Sequence, residues 1–411
     1  MAPELISVDE ARARVLARTE RLDAEAVPVG DAVGRVLAED AASDDDVPGF
    51  DNSAMDGFAV RAEDTEGAAE GSPKTLEIVG ESRAGTPAES ALREGEAIRI
   101  STGAPLPMGA DSVVRLEEAE EGDGAISFEV AVGTGRDIRR AGEDIKAGDT
   151  VVEAGSLIGP AEAGVLVSIG AAEVSCTRRP RLAVVCTGDE LLGPDEPMTP
   201  GGVRNSNAYT VPALAARAGA AVTSVERVAD EPRATEEALA RALDADVVVV
   251  CGGVSVGEHD HVKEALGTLG AEEAFWGVAL RPGRPTWFGV HAGGPANGGA
   301  LVFGLPGNPV SAYVTFVLFA RPALRALAGA PEGVDRARAT LATGVPRLPK
   351  RDQAVRCGLE LTDAGWSAKP TGPQGSHVLT SMLGADALAV VAAGPEPAPA
   401  GGVVEVELLR A

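Results

Sequence analysis

Apolar positions fall near helical spacing over residues 8–21, with Ser7 placed to cap that helix and Glu10, three residues on, as its capping-box partner. After the acidic run 44–46 and a proline turn at Pro48 the pattern changes. Over residues 58–175, short β-type runs at 75–79, 97–100, 112–116 and 126–132 are separated by glycine and acidic turns. This predicts a mostly β region inserted into the N-terminal helical part, to which both its ends return. Over residues 181–330 buried strands alternate with helical patterns: a run at 182–186, a helix from about Asn207 to Ala218, a run at 221–228, a helix over 232–243 and a strand at 246–251. The order βαβαβ implies a three-layer α/β unit, a mainly parallel sheet with helices on both faces. Residues 339–409 return to short alternating runs and turns, as in a small β-barrel, and the Pro/Ala/Gly stretch 395–402 reads as a loop. The fold class expected is therefore multidomain α/β plus β.

Composition sharpens this picture. A chain of 411 residues, 45% hydrophobic, is too long for one ordinary domain and has apolar material for several cores. The longest apolar stretches, 247–250 and 314–318, fall far short of the ~20 residues that cross a bilayer, so no membrane span is expected. Residues 1–10 carry acids and no basic flank before an apolar run, which does not read as a secretory signal, and a cytoplasmic location is expected. Cys176, Cys186, Cys251 and Cys357 are scattered, without a CxxC pair or histidines at zinc-ligand spacing. Cys186 and Cys251 end apolar β-type runs, where a reduced cysteine behaves as a small buried hydrophobe.

A net charge of −26 repels nucleic-acid phosphates and anionic lipid, so neither is an expected partner. Lysine occurs only at Lys74, Lys146, Lys263, Lys350 and Lys369, whereas arginine is plentiful and acids are spread along the chain. That distribution suits a protein of a high-salt cytoplasm, its acidity a solvation device and not a local patch. An anionic ligand would need locally concentrated arginine and backbone N–H groups.

Three turns follow strands of the α/β region. They are Thr187-Gly188-Asp189-Glu190, Gly252-Gly253-Val254-Ser255-Val256-Gly257 with Glu258 and Asp260 beyond, and Gly304-Leu305-Pro306-Gly307-Asn308-Pro309 before a long apolar helix. Glycines let backbone N–H groups approach a phosphate, and turn carboxylates can hold magnesium. One such turn is as often an ordinary strand-to-helix connection. Three should open on one edge of the sheet, where ligands of such sheets sit.

The words Val47-Pro48-Gly49-Phe50-Asp51-Asn52 and Ser53-Ala54-Met55-Asp56-Gly57-Phe58-Ala59-Val60 resemble the signature of the molybdopterin molybdenumtransferases, shared with gephyrin-type E domains. So do Arg99-Ile100-Ser101-Thr102-Gly103-Ala104-Pro105, Gly142-Glu143-Asp144-Ile145, Thr187-Gly188-Asp189-Glu190-Leu191, the 252–257 turn and the segment 305–311. The resemblance runs along nearly the whole chain. It implies a discontinuous N-terminal helical unit (1–46 and 141–178), an inserted β domain (47–140), an α/β molybdopterin-binding domain (179–330) and a C-terminal β-barrel (331–411). It also implies transfer of molybdenum from molybdate to adenylylated molybdopterin, with magnesium-assisted release of AMP, in a homodimer whose active site joins two subunits. Carried over by motif, Asp56, Thr102 and Asp144 would face Glu190 and Asp260 of the partner, the last two holding magnesium. Thr187, Gly188, Asp189, Gly252, Gly253, Ser255, Gly257, Pro306, Gly307, Asn308 and Pro309 would bind the pterin nucleotide. Arg281, Arg284, Pro285, Ser311, Arg356 and Ser376 would bind molybdate. The family often carries lysine where Arg281 or Arg284 stands; arginine keeps the charge but changes reach and geometry. Each acid also reads as a turn cap and the arginines as surface residues of a proline loop, while His259 and His261 read as neighbours of Asp260. Two other functions fit parts of this pattern, molybdopterin adenylylation and a gephyrin-like scaffold.

Dispersed acids repel one another in dilute buffer, so stability should rise with ionic strength. The check is a melting temperature measured from roughly 0.15 M salt, where the Debye length is about 8 Å, to several molar. An unchanged value contradicts the high-salt reading.

Overall fold

The computed structural model describes residues 5–254, 261–333 and 335–409. The first helix, Val8–Leu16, is capped as its sequence requires, the Ser7 hydroxyl accepting the Glu10 N–H at 3.0 Å. Glu10 completes no capping box; its carboxylate pairs with Arg14 one turn on, at 2.5 Å. The helix is also shorter than the periodicity suggests. Leu22 is buried and its N–H donates to the Leu327 carbonyl, a tertiary bond that takes residues 18–22 out of the helical path.

The chain then leaves and returns along itself. Three antiparallel ladders pair Ala24–Pro28 with Glu173–Thr177, Ala41–Ala42 with Thr150–Val152, and Asn52–Ser53 with Ile138–Arg139. Beyond them lies a six-stranded mixed sheet in the spatial order Ser112–Arg115, Gly57–Val60, Glu96–Ile100, Lys74–Ser82, Ala125–Phe128, Ala119–Gly122. Its core gathers Phe58, Val60, Leu76, Ile126 and Phe128. Gly57 is obligatory here, because a Cβ would stand 2.1 Å from the Val114 carbonyl oxygen.

The α/β sheet has strands β1 (Arg181–Thr187), β2 (Ala221–Val228), β3 (Val247–Cys251), β4 (Ala271–Trp276), β5 (Trp287–His291) and β6 (Ala300–Leu305). Their spatial order is β2-β1-β3-β6-β5-β4. The first four run parallel, while β5 and β4 add antiparallel at one edge. Alternation along each strand divides two cores. Val184, Val249 and Phe303 meet the helical stretch 309–327, and Val185, Val250 and Val302 meet Pro232–Ala242 and Val262–Thr268. Pro309–Leu327, with a π-helical segment at Phe316–Ala320, is one helix of 19 residues, apolar and long enough by composition to cross a membrane. It therefore exceeds the short apolar run at 314–318, and it is 78% buried inside the molecule.

A five-stranded barrel closes the chain, because Asp352–Thr362 pairs with Gly365–Pro370 on one side and Ala387–Val391 on the other. Leu280–Arg281 adds in parallel to Asp352–Thr362, joining the α/β unit to the barrel. Charge locks the other junctions. Glu407 of the barrel, with 5% side-chain exposure, receives Arg12 at 2.6 Å, Arg321 at 2.7 Å and Arg336 at 3.1 Å. Asp246, fully buried before β3, accepts Arg178 through both carboxylate oxygens, at 2.7 and 2.8 Å, and the Arg181 N–H at 2.8 Å. Burial alone would raise its pKa, but the Arg178 and Arg181 donors outweigh burial and hold it below the ordinary carboxylate value.

Removing either partner of this pair should destabilise unequally. Arg178→Ala strands a carboxylate in the interior and should cost about 3–5 kcal/mol, more than Asp246→Asn, which leaves a partly exposed guanidinium. Because the folded pKa is depressed, the stabilisation is present above the unfolded value, about 4, and is lost as pH falls through the folded one. Urea midpoints of both variants at pH 7 and in acid check this; equal midpoints for Arg178→Ala and wild type at pH 7 contradict it.

Candidate functional site

In the parallel register Cys186 of β1 stands beside Cys251 of β3, and Cys251 beside Leu305 of β6. The three strands therefore end level, and their turns open together on the carboxyl edge of the sheet. They border a cleft of about 290 Å³ lined by Thr187, Gly188 and Glu190 of the first turn, Gly252 and Gly253 of the second, and Gly307 of the third. The second turn is drawn against its neighbours by the Gly252 N–H, which donates to the Leu305 carbonyl at 3.0 Å. Gly252 has φ +99°, and a Cβ there would lie 2.8 Å from the Thr187 carbonyl oxygen, so glycine is required on both counts. Cys186 and Cys251 also line the cleft. Cys251 is a free thiol, and its hydrogen bond with Cys186 and its burial both push its pKa well up.

The cleft wall is polar and incompletely satisfied. Thr187 Oγ1 and Asn207 Oδ1 are buried and have no hydrogen-bond partner among the described residues. Asn207 is only 6% exposed, and its Nδ2 donates to the Gly307 carbonyl at 2.8 Å, which ties the start of helix Asn207–Arg217 to the third turn. Exposed carboxylates of Glu190 and Asp230 lie on the same cleft. Asp230 stands two residues beyond β2, so the rule that singled out the other strand ends would have found it too. Asn205 and Asn207 gave no comparable signal, because polar residues opening a helix usually read as caps.

Other expected residues lie elsewhere. Asp189 accepts the Asp230 N–H at 3.1 Å and is not part of the lining. Pro306 is buried, Asn308 precedes the helix that Pro309 begins, and the Asn308 carbonyl accepts the Ala312 N–H. Ser255, Gly257 and Asp260, with Glu258 and His259, lie outside the described residues. Asp56 and Thr102 are brought together on the β domain, the Thr102 N–H donating to Asp56 Oδ1 at 2.7 Å. Asp144 sits on the returning strand path, its N–H donating to the Val47 carbonyl. All three are exposed, and none lines the cleft of its own chain.

A second opening lies between the α/β unit and the barrel, and of the oxyanion candidates Arg281 borders it. Arg281 lines a cleft of about 400 Å³ with Pro282, Gln353 and Gln374. Arg284 is exposed, and Pro285 half-buried, on the same loop. Ser311 is buried in the first turn of the long helix, whose Val310 N–H donates to the Ser376 carbonyl at 3.3 Å. Arg356 is not an exposed anion contact. It is fully buried, and its guanidinium donates to Ser381 Oγ at 3.1 Å and to the Pro373 and Gly375 carbonyls at 3.2 Å, with Nη1 left over. Its direct role in this geometry is to hold the 373–376 loop in place.

Residues 6–170 match the family described as the MoeA N-terminal region (domain I and II), 183–326 a probable molybdopterin binding domain, and 338–409 the MoeA C-terminal region (domain IV). The chain is 35% identical to a molybdopterin molybdenumtransferase of Bacillus subtilis, over 98% of this chain and 94% of that one. It is 37% identical to molybdopterin molybdenumtransferase 2 of Mycobacterium tuberculosis, over 88% of this chain and 89% of that one. The crystal structure of a molybdopterin biosynthesis MoeA protein from Pyrococcus horikoshii OT3 superimposes with a TM-score of 0.83 at 29% identity, covering 98% of this chain and 100% of that one. The level glycine turns and these full-length similarities agree: the chain belongs to the molybdopterin molybdenumtransferase family.

Proposed function

We propose that the protein acts in molybdenum cofactor biosynthesis, moving molybdenum from molybdate onto adenylylated molybdopterin as AMP leaves. The observation that carries this reading is the cleft at the level strand ends, where three glycine turns meet Glu190. Gly188, Gly252 and Gly307 leave backbone room for phosphate oxygens, and Thr187 brings a buried hydroxyl. Molybdopterin adenylylation is not favoured, because relatives matching over nearly the full chain are molybdenumtransferases. The inserted β domain and the barrel also go beyond what an α/β unit alone would need for that step.

Magnesium fits the donor set in one way. Among the described residues no group of three or more His, Cys, Asp or Glu side chains could hold a metal, so the ion would share few carboxylates with ligand phosphates, as Mg²⁺ commonly does. Glu190 and Asp260 would hold it, with Asp230 within the same cleft. Bound there, magnesium would neutralise charge on the scissile phosphates. We read the site as shared between two subunits, because Asp56, Thr102 and Asp144 lie off their own chain's cleft. Molybdate would enter at the second opening beside Arg281, with Arg284 further along the same loop, which Pro282 and Pro285 stiffen. A cytoplasmic location at high salt completes the reading.

Direct assay is the first test: adenylylated molybdopterin with molybdate should yield molybdenum cofactor and AMP, and absence of AMP release by folded protein overturns the proposal. Mixing Asp56→Asn chains with Glu190→Gln chains should restore partial activity, since each mixed dimer keeps one unmutated site. Inactive mixed dimers of folded chains contradict a shared site. Arg284→Ala should weaken molybdate binding roughly ten- to a hundredfold, the effect of losing one hydrogen bond to a charged group, and leave AMP binding far less changed. Calorimetric titration decides this; equal losses for both ligands, or no loss for molybdate, defeat the assignment.

A further inference from the structure

Asn207 carries a feature that family resemblance did not bring out. A carbonyl oxygen can only accept, so the contact with the Gly307 carbonyl fixes which end of the amide is NH₂. The orientation of Asn207 is thereby settled without appeal to a ligand. Among the described residues its Oδ1 is left as a buried acceptor without a partner, on a residue that lines the cleft. Leaving such an atom unmatched costs free energy, and in a binding cleft the ligand is what can match it. The other amide on the cleft, Asn205, already has its Oδ1 engaged by the Ala208 N–H at 3.2 Å. Glu190 and Asp230 are exposed acids suited to a metal, Thr187 Oγ1 can donate to a phosphate oxygen, and the glycines present backbone.

We infer that Asn207 is a specificity residue whose Oδ1 accepts a hydrogen bond from an amino or ring N–H of a heterocycle in the ligand. The inference rests on the proposed function, in which the ligand contains two such rings, pterin and adenine. Its phosphates and sulfurs offer no matching donor at neutral pH, and its ribose hydroxyls, the other donors, are separated from the rings by the test below. The planar amide presents its lone pair in the plane of the group, which suits an in-plane ring N–H. The second amide edge, bound to Gly307, keeps Oδ1 from turning away, so the acceptor is preorganised.

The test separates recognition from support of the third turn. Full-length wild type and Asn207→Ala are titrated with AMP, with purine riboside 5′-monophosphate, which lacks the amino group, and with molybdopterin; Asn207→Ser serves if the alanine variant does not fold. If adenine is the ring held, wild type prefers AMP over the purine analogue by about tenfold and the variant loses that preference. If pterin is held, the variant loses about tenfold in molybdopterin affinity while both nucleotides bind as before. Equal losses for all three ligands, a loss shared by AMP and its analogue, or no loss at all overturns the inference. Wild type that binds none of the three overturns the functional reading itself, and this inference with it.

Discussion

The site depends on one constraint, that Cys186, Cys251 and Leu305 stand level across three adjacent parallel strands. Levelness lets three separate loops share one cleft, and it makes them crowd. Gly252 resolves the crowding, since its N–H reaches the Leu305 carbonyl while its missing Cβ leaves room for the Thr187 carbonyl. Slipping one strand by a residue would exchange its two faces, sending Val249 toward the core that now takes Val250. Hydrophobic burial on both faces of the sheet therefore also sets the geometry of the binding edge.

The same economy appears in charge. An acidic chain that handles anionic ligands must ration its arginines, and several are spent on structure. Arg178 answers Asp246, Arg12, Arg321 and Arg336 answer Glu407, and Arg356 binds the carbonyls of the 373–376 loop. Arg281 lies on the two-residue strand that joins the α/β unit to the barrel, with its side chain exposed. The mechanical seam between the units and the edge of the second cleft are thus the same segment.

Much of this was legible in the residues. The alternation of β1, β2 and β3 with helices gave the α/β unit, and the glycine turns located its binding edge, because both follow from local chemistry. The antiparallel edge made by β4 and β5 was not foreseen, since short strands signal pairing partner and direction weakly. The first helix ended early because a tertiary bond from Leu22 overrode its periodicity. Arg356 was legible as a cation near the barrel but not as a buried brace, which depends on the carbonyls that the folded loop turns toward it. Asn207 stayed hidden for a related reason: its meaning lies in the bond to Gly307, one hundred residues away in sequence.

The central claim is that the level turns of β1, β3 and β6 form the nucleotide-binding cleft of the molybdenumtransferase. A crystal structure of the protein grown with AMP and magnesium tests it most directly. The account predicts AMP phosphate oxygens against the backbone of Gly188, Gly252 or Gly307, with Glu190 within reach of the metal. Nucleotide seated in the opening beside Arg281, Gln353 and Gln374, with the first cleft empty, would contradict it.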